Sequence, residues 1–215
     1  MDKINFAKYI DNTNLKPTAT KKDIQKLCSE ALKFGFCSVC VNPFWVKYAS
    51  KLLKNSEVKI AAVIGFPLGA NSSEIKKQEA LEAAKNGATE LDMVINQGLF
   101  KMGEYDKVLD DINGVCKAGT TVKVIIETSN LSLGEIEKLC EIVNQSNAQF
   151  IKTSTGFIGD GAKLEHIKLM KQKMQSNKFV KASGGIRDAK TFIDMINAGA
   201  DRIGTSSGVK ILSEL

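Results

Sequence analysis

Short apolar runs alternate along this chain with longer stretches in which apolar residues recur every three or four positions. The short runs have the length of buried strands, and the longer stretches have the period of amphipathic helices. Strands are predicted at residues 9–11, 36–41, 58–64, 90–94, 122–126, 149–152, 179–181 and 202–204. Helices are predicted at residues 22–34, 73–86, 104–117, 133–144, 162–174 and 188–198. The alternation therefore predicts an α/β fold.

The eight predicted strands follow one another without a linker, a low-complexity tract or a change of composition between them. Residues 1–215 are therefore predicted to form a single domain. Eight strand–helix units in one domain are typical of a (β/α)8 TIM barrel, which needs roughly 200 or more residues. The alternative is an open doubly wound sheet, but such sheets usually have about five to seven strands and a Gly-x-Gly-x-x-Gly motif after the first. This chain has no such motif at that place, and we expect the barrel.

The composition, with 43% hydrophobic and 25% charged residues, is that of an ordinary folded protein. No apolar run approaches the roughly 20 residues of a membrane helix, and the first residues lack a signal-peptide pattern. Five cysteines in such a chain are expected to be reduced thiols. We therefore expect a cytoplasmic protein without a membrane partner.

The net charge of +6 favours an anionic partner, either a nucleic acid or a phosphorylated metabolite. The lysine-rich stretches at residues 51–54 and 76–77 are interpreted as solvated helix faces. Aromatic residues between them are too sparse for a nucleic-acid platform. We therefore expect a phosphorylated small molecule as the partner, and no nucleic acid.

The chain has a single histidine, His166, which lies in a stretch of helical period. One histidine excludes multi-histidine metal sites, and a Ser-His-Asp or Cys-His site would have to use this residue. We interpret His166 as an ordinary helix residue, and we predict neither a metal site nor a cofactor. Lysine and carboxylate chemistry remains available.

Charged residues interrupt four of the predicted strands, namely Asp92, Lys123, Lys152 and Lys181. A charged side chain in an apolar strand is costly to bury unless it is paired. Because the strands of a closed barrel have no exposed edges, we expect these side chains to share one polar cavity. In a TIM barrel that cavity opens at the carboxyl ends of the strands.

Two lysines in a partly desolvated pocket can depress the pKa of one of them toward neutrality. The free amine can then attack a carbonyl group and form a Schiff base, which acts as an electron sink. A carboxylate such as Asp92 can move the protons, directly or through water. This set of side chains fits a metal-free aldolase better than a metal-dependent one, although it does not show which lysine is the nucleophile.

Glycine- and serine-rich segments follow the seventh and eighth predicted strands, at residues 181–187 and 204–208. Glycines let the backbone approach an anion, and these two loops are the usual phosphate site of the TIM barrel. The segment at residues 153–156, after the sixth strand, is expected to add a third wall. The sequence therefore predicts a phosphorylated ligand.

Eight motifs along nearly the whole chain resemble the deoxyribose-phosphate aldolases, specifically their shorter bacterial branch. The motifs lie at residues 10–17, 39–43, 63–69, 90–96, 122–128, 150–157, 180–187 and 202–208. The resemblance implies a class I aldolase, a lyase that reversibly cleaves 2-deoxy-D-ribose 5-phosphate to D-glyceraldehyde 3-phosphate and acetaldehyde. It places the reaction in deoxyribose phosphate and nucleotide catabolism.

The same resemblance implies roles for matching residues. Lys152 is expected to form the Schiff base, Lys181 to perturb its pKa, and Asp92 to work with Lys181 in proton relay. Matching residues that line the pocket are Asp11, Cys40, Lys123 and Thr155. Matching phosphate and sugar contacts are Gly156, Gly184, Gly185, Gly204, Ser206 and Ser207. Family members are often dimers, so a homodimer is the expected assembly.

The chain departs from the family pattern at three places. Asn12 stands where the shorter branch usually has histidine, at a position without a catalytic role. Phe157 stands where the longer branch has lysine, which agrees with the shorter branch. The last residues lack the tyrosine that ends some members, so water is expected to shuttle the last proton.

Two alternatives remain open. One is another phosphosugar aldolase or isomerase on the same barrel, although such an isomerase commonly needs a histidine at a strand end. The other is a non-catalytic protein that binds anions or RNA through its basic surface, with an affinity that falls steeply with salt.

Overall fold

The computed structural model describes residues 6–215, and within them eight parallel strands close into a barrel. The strands follow one another around the ring in sequence order, and the last pairs with the first. The closed ring confirms the predicted TIM barrel. The strands are β1 (Ile10–Asn14), β2 (Ser38–Val41), β3 (Lys59–Ile64), β4 (Glu90–Val94), β5 (Thr121–Ile125), β6 (Phe150–Lys152), β7 (Phe179–Ser183) and β8 (Arg202–Thr205).

Helices surround the barrel and connect its strands. The six predicted ones are α1 (Lys21–Phe34), α3 (Ser73–Lys85), α5 (Tyr105–Cys116), α6 (Leu133–Gln145), α7 (Leu164–Lys173) and α8 (Ala189–Asn197). Three more helices were not predicted: α2 (Val46–Leu52), α4 (Gln97–Lys101) and α9 (Gly208–Glu214). They are short, so too few turns repeat for a helical period to stand out in the sequence.

Polar side chains fix the points where helices begin after the strand ends. At α1, the Thr20 hydroxyl accepts a hydrogen bond from the Asp23 N–H, and the Asp23 carboxylate accepts one from the Thr20 N–H. Ser132 and Glu135 form the same reciprocal pair at the start of α6. Such pairs satisfy backbone donors that have no partner within the helix. They hold the connections at the carboxyl end of the barrel.

Strand alternation divides the barrel wall into two faces. Outward-facing side chains such as Val39, Leu91 and Met93 are fully buried against the helices and form the apolar core. Inward-facing side chains differ from one side of the barrel to the other. A small apolar cluster, Leu15, Cys40, Ala61 and Val63, lies on the side of β2 and β3. Charged side chains from β1 and from β4 to β8 occupy much of the rest of the interior.

Candidate active site

A cleft of about 790 Å³ opens at the carboxyl ends of β6, β7 and β8, where the active sites of TIM barrels lie. Eight residues singled out from the sequence line it: Lys152, Thr155, Gly156, Gly184, Gly185, Gly204, Ser206 and Ser207. The other five lie buried outside the cleft lining, in the barrel interior: Asp11, Cys40, Asp92, Lys123 and Lys181. The cleft is therefore a surface of loops above a layer of buried charge.

Asp92 is the centre of the charged cluster inside the barrel. Its Oδ2 atom accepts hydrogen bonds from Lys152 Nζ at 2.7 Å and from Lys181 Nζ at 2.8 Å. Its Oδ1 atom accepts one from Lys123 Nζ at 2.8 Å. Strand register explains the meeting, because Asp92 lies beside Lys123 across β4 and β5, and Lys152 lies beside Lys181 across β6 and β7. The structure thus brings together the four charged residues that interrupt the predicted strands.

Three further charged residues extend this cluster toward the opposite end of the barrel. Arg202 Nη1 donates hydrogen bonds to Asp11 Oδ1 at 2.8 Å and to Glu90 Oε2 at 3.2 Å. Lys123 Nζ lies 2.5 Å from Glu90 Oε2, and Lys181 Nζ donates to Asp11 Oδ2. We call the whole set the barrel network: Asp11, Glu90, Asp92, Lys123, Lys152, Lys181 and Arg202.

The barrel network holds four cationic side chains and three carboxylates, all of them buried. With every group charged, it has a surplus of one positive charge, and burying unbalanced charge is costly. Lys152 has one carboxylate partner within residues 6–215, Asp92, whereas each of the other three cations contacts at least two. Lys152 is therefore the cation that the network holds least firmly.

The acid–base properties of the three lysines follow this pattern. Burial lowers the pKa of Lys152; Asp92 opposes that shift only in part, and the charge of Lys181 adds to it. At Lys123 and Lys181, burial also disfavours the charged form, but the neighbouring carboxylates outweigh it and raise both pKa values. Lys152 is also 3% exposed and lines the cleft, whereas Lys123 and Lys181 are 0% exposed. The lysine with the lowered pKa is thus the one that a ligand can reach.

Asp92 remains ionised among these lysines. Burial works to raise its pKa, but the charges of Lys123, Lys152 and Lys181 hold that pKa well below the usual range. An ionised carboxylate between two amines can accept a proton from one and pass it to the other. Its Oδ2 atom, which both Lys152 and Lys181 contact, is the position for such a transfer.

Glycines shape the cleft in two different ways. Gly184 has a φ of +86°, and an added Cβ there would lie 2.8 Å from the Gly161 Cα, so the close approach of the two loops needs glycine. Gly204 lies in β8, where an added Cβ would lie 3.1 Å from the Lys181 Cε. Gly204 therefore makes room for the Lys181 side chain as well as bordering the cleft.

The rim of the cleft carries both polar and cationic groups. Ser206 is exposed, while the Ser207 N–H donates a hydrogen bond to the Thr205 hydroxyl at 2.9 Å and so is already engaged. Cationic side chains around the same cleft are Lys16, Lys26, Arg187 and Lys210, and they outnumber the two acidic ones, Asp23 and Glu30. Their positive charge makes the rim suitable for an anionic group such as a phosphate.

Glu127 is a site residue that the sequence did not reveal. It is fully buried, and its backbone has a φ of +54°, which is unusual for a residue other than glycine. Its carboxylate accepts hydrogen bonds from the Thr155 N–H at 3.0 Å and from the Thr155 hydroxyl. Glu127 thereby fixes the segment that follows Lys152. In the sequence, Glu127 stands out only as a charged residue directly after an apolar strand. Its burial could not be predicted from that position, because its hydrogen-bond partner Thr155 lies 28 residues away.

Cys40 lies in the apolar cluster with Ala61 and Val63, on the side of the barrel opposite β6 and β7. Burial raises the pKa of its thiol to about 11. The thiol is therefore neutral near pH 7 and contributes apolar surface to the interior.

The interpretation of Lys76 as part of a solvated helix face is wrong. Lys76 is fully buried between α3 and α5, where its Nζ lies 2.6 Å from Asp111 Oδ2 and donates to the Val94 carbonyl at 2.9 Å. The methylene groups of Lys76 pack against Gly65. An ion partner 35 residues away compensates the buried charge, which local sequence pattern does not show.

The described part of the chain has neither a cluster of metal ligands nor a membrane-spanning helix. Across residues 6–215, no group of three or more His, Cys, Asp or Glu side chains is arranged to hold a metal ion. The helices within that range are too short or too polar to cross a bilayer.

Comparison with known proteins gives consistent matches over nearly the whole chain. The model of the DeoC/LacD family of aldolases matches residues 6–214. The deoxyribose-phosphate aldolase of Thermoanaerobacter sp. (strain X514) is 52% identical over 216 residues, covering 98% of this chain and 97% of that protein. The deoxyribose-phosphate aldolase of Thermococcus kodakarensis is 53% identical over 218 residues, covering 99% of this chain and 97% of that protein.

A solved structure agrees with these sequence matches. The deoxyribose phosphate aldolase from Aeropyrum pernix, described as a tetramer, superposes with a TM-score of 0.92 at 34% identity. The match covers 99% of this chain and 91% of that one.

Proposed function

The chain belongs to the DeoC/LacD family of aldolases, and from that membership we propose that it reversibly cleaves 2-deoxy-D-ribose 5-phosphate to D-glyceraldehyde 3-phosphate and acetaldehyde. Relatives that are more than half identical over nearly the whole chain carry the name of this activity. The observation that carries the mechanism is the position of Lys152. It is the lysine of the barrel network that combines a lowered pKa with access to the cleft.

The first chemical step is attack of the neutral Lys152 amine on the C1 aldehyde of the open-chain sugar. Loss of water from the resulting carbinolamine gives a protonated Schiff base between Nζ and C1. Asp92 Oδ2, 2.7 Å from Lys152 Nζ, accepts the proton that the amine loses and returns it to the carbinolamine oxygen. The protonated Lys181 supplies the second proton, through Asp92 or water, with which that oxygen leaves as water. The positively charged imine then draws electrons toward nitrogen.

The second step breaks the C2–C3 bond. The C3 hydroxyl loses its proton, its oxygen becomes the aldehyde oxygen of glyceraldehyde 3-phosphate, and the electrons of the broken bond form an enamine with Lys152. Protonation of that enamine at C2 and hydrolysis of the imine release acetaldehyde and return the amine, using the water lost earlier. Lys181 and Asp92, 2.8 Å apart, supply and recover the protons, through water where the distance requires it.

The phosphate of the sugar is assigned to the loops after β6, β7 and β8. Gly156, Gly184 and Gly185 have positive φ values there and leave the backbone accessible. The cationic rim adds long-range attraction for a dianion. With the phosphate at the rim, the aldehyde end of the sugar points toward Lys152.

Trapping of the Schiff base tests this proposal. The protein is treated with acetaldehyde and borohydride, and the reduced adduct is located by peptide mass mapping. We expect one adduct, on Lys152, and competition by deoxyribose 5-phosphate. An adduct on Lys181 instead would reverse the two assignments, and the absence of any adduct would refute the covalent mechanism. A Lys152→Met variant is the matched control and should remain unlabelled.

Another phosphosugar reaction on the same barrel, or anion binding without catalysis, predicts different results. An isomerase would interconvert a sugar phosphate without releasing acetaldehyde. A binding protein would show affinity for RNA that falls with salt and no adduct with borohydride. The proposal further places the reaction in deoxyribose phosphate catabolism in the cytoplasm, with a homodimer as the expected assembly and no metal requirement.

A further inference from the structure

The barrel network continues beyond the residues assigned to the reaction and ends at a second cavity, at the other mouth of the barrel. That cavity has a volume of about 420 Å³ and is lined by Lys59, Glu90 and Arg202, among others. The side chains of Glu90 and Arg202 are 1% and 9% exposed, whereas that of Lys59 is 49% exposed. Two charged groups are thus buried at the end of the barrel opposite the cleft.

An unbroken path of ionic contacts joins the two ends. From the cleft, Lys152 Nζ contacts Asp92 at 2.7 Å, and Asp92 contacts Lys123 Nζ at 2.8 Å. Lys123 Nζ then contacts Glu90 at 2.5 Å, and Glu90 contacts Arg202 Nη1 at 3.2 Å. Neither Glu90 nor Arg202 lines the cleft, so they act on the reaction only through contacts inside the barrel.

The charge balance gives these two residues opposite effects. With Lys152 neutral, the barrel network has three cations and three carboxylates and carries no net charge. Loss of the Arg202 charge leaves an excess of negative charge, which favours the protonated form of Lys152. Loss of the Glu90 charge leaves an excess of positive charge, which favours the neutral form.

We propose that Glu90 and Arg202 are positioning residues that balance each other's charge in the barrel network and thereby set the pH at which the Lys152 amine becomes reactive. This proposal rests on the Schiff-base function assigned to Lys152. It extends the machinery of the reaction from the cleft to the far mouth of the barrel.

Other groups around the network contribute little to this balance. Burial raises the pKa of Cys37 and that of Cys40, so both thiols are neutral near pH 7. Lys59 contacts Glu90 at 3.3 Å, but water screens its half-exposed charge. The charged groups that face the network from the strands and the second cavity are Lys8, Asp11, Lys59, Glu90, Asp92, Lys123, Lys152, Lys181, Asp201 and Arg202.

The test measures kcat/KM for deoxyribose 5-phosphate cleavage, and the initial rate of borohydride trapping, as functions of pH. Both rise as the amine loses its proton, which gives an acidic limb. Arg202→Met should move that limb to higher pH by about one unit, and Glu90→Gln should move it to lower pH by a similar amount. The double variant should return it close to the wild-type position, and Arg202→Lys should leave it there.

The outcomes separate this proposal from the one on which it rests. A wild-type protein that forms no adduct refutes the Schiff-base function itself. If the wild-type protein forms the adduct but the acidic limb stays in place in both single variants, the proposed roles of Glu90 and Arg202 are overturned. A purely structural role would lower the rate at every pH and leave the limb where it is.

A milder variant keeps the test decisive when the buried variants do not fold. Lys59→Met removes only a half-exposed partner of Glu90 and should move the limb upward by roughly 0.3 units, because solvent screens that charge. Lys138→Met, on the outer surface of α6, removes a comparable exposed partner of Glu141 and should not move it. Identical limbs in these two variants would overturn the proposal.

Discussion

Within residues 6–215, cations and carboxylates are buried against each other at two places, and the two differ in their charge balance. Between α3 and α5, one cation, Lys76, meets one carboxylate, Asp111, and both side chains are fully buried. Inside the barrel, four cations meet three carboxylates. The balanced pair holds two helices and a strand end together. The unbalanced network leaves one lysine that can give up its proton.

The comparison also shows that a lowered pKa does not by itself identify a nucleophile. Burial lowers the pKa of Lys76 and of Lys178 as well as that of Lys152. Lys178 donates to the carbonyls of Val143, Ser146 and Ala148 and caps the end of α6. Structural ion pairs perturb pKa values just as active sites do. Access to the cleft distinguishes Lys152 from the other two lysines.

Replacement of Lys152, the cation that the carboxylates of the barrel network do not balance, is expected to have the largest effect on activity. Lys152→Met should lower the rate of deoxyribose 5-phosphate cleavage by at least about 1,000-fold, because the nucleophile is lost. Its melting temperature should not fall, because the remaining network has equal numbers of cations and carboxylates. Steady-state kinetics and thermal unfolding measure the two effects. A large loss of stability would contradict the charge count.

Replacement of Lys76, whose charge Asp111 balances, should lower the stability of the protein and leave its activity unchanged. Lys76→Met leaves Asp111 buried without its partner and should lower the free energy of unfolding by about 3–5 kcal/mol. The kcat per folded molecule should remain unchanged, because Lys76 lies outside the barrel interior. Denaturant unfolding and kinetics at a temperature where the variant is folded measure this. A Lys76→Met, Asp111→Leu double variant should recover most of the lost free energy of unfolding. A loss of kcat in that stable double variant would show that the Lys76–Asp111 pair is not purely structural.

Replacement of Lys181 tests whether this second lysine contributes to the reaction at Lys152. Lys181→Leu should lower kcat by about 100-fold, because proton relay through Asp92 is impaired. Binding of substrate should change little, because Lys181 is 0% exposed and does not line the cleft. Separate measurement of kcat and KM shows the split. An unimpaired kcat would remove Lys181 from the mechanism.

The smallest effect is expected from removal of metal ions. Treatment with EDTA should leave the cleavage rate unchanged within error, because lysine supplies the electron sink that a metal supplies elsewhere. The measurement is the rate before and after dialysis against EDTA. A loss of activity that zinc restores would contradict a purely lysine-based site.

Hydrophobic pattern was sufficient to predict the barrel and part of its interior. Strand alternation made the charged residues Asp92, Lys123 and Lys181 visible, because each interrupts an apolar run. Glu90 and Arg202 are the first residues of β4 and β8, at the opposite ends of the strands, where a charged side chain can also be exposed to water. Their burial depends on contact with each other and with Asp11, across 112 and 191 residues of sequence.

Other parts of the site depend on contacts that no local pattern reveals. The clamp of Glu127 on Thr155 joins two successive strand–loop units. The burial of Lys76 depends on Asp111, in a different helix. The choice between Lys152 and Lys181 as nucleophile came from family resemblance, since their sequence surroundings are alike. In the structure, a few per cent of exposure and the number of carboxylate contacts separate them.

Closure of the barrel joins residues from the two ends of the chain, so the barrel network can form only after the last strands have been synthesised. Asp11 comes from the first strand, while two of its cationic partners, Lys181 and Arg202, come from the seventh and eighth. A nascent chain still held on the ribosome by its last segment has Lys152 but lacks the finished ring around it. Its amine is then an ordinary solvated lysine, protonated at neutral pH. The lowered pKa of the Lys152 amine therefore depends on closure of the ring by the last two strands.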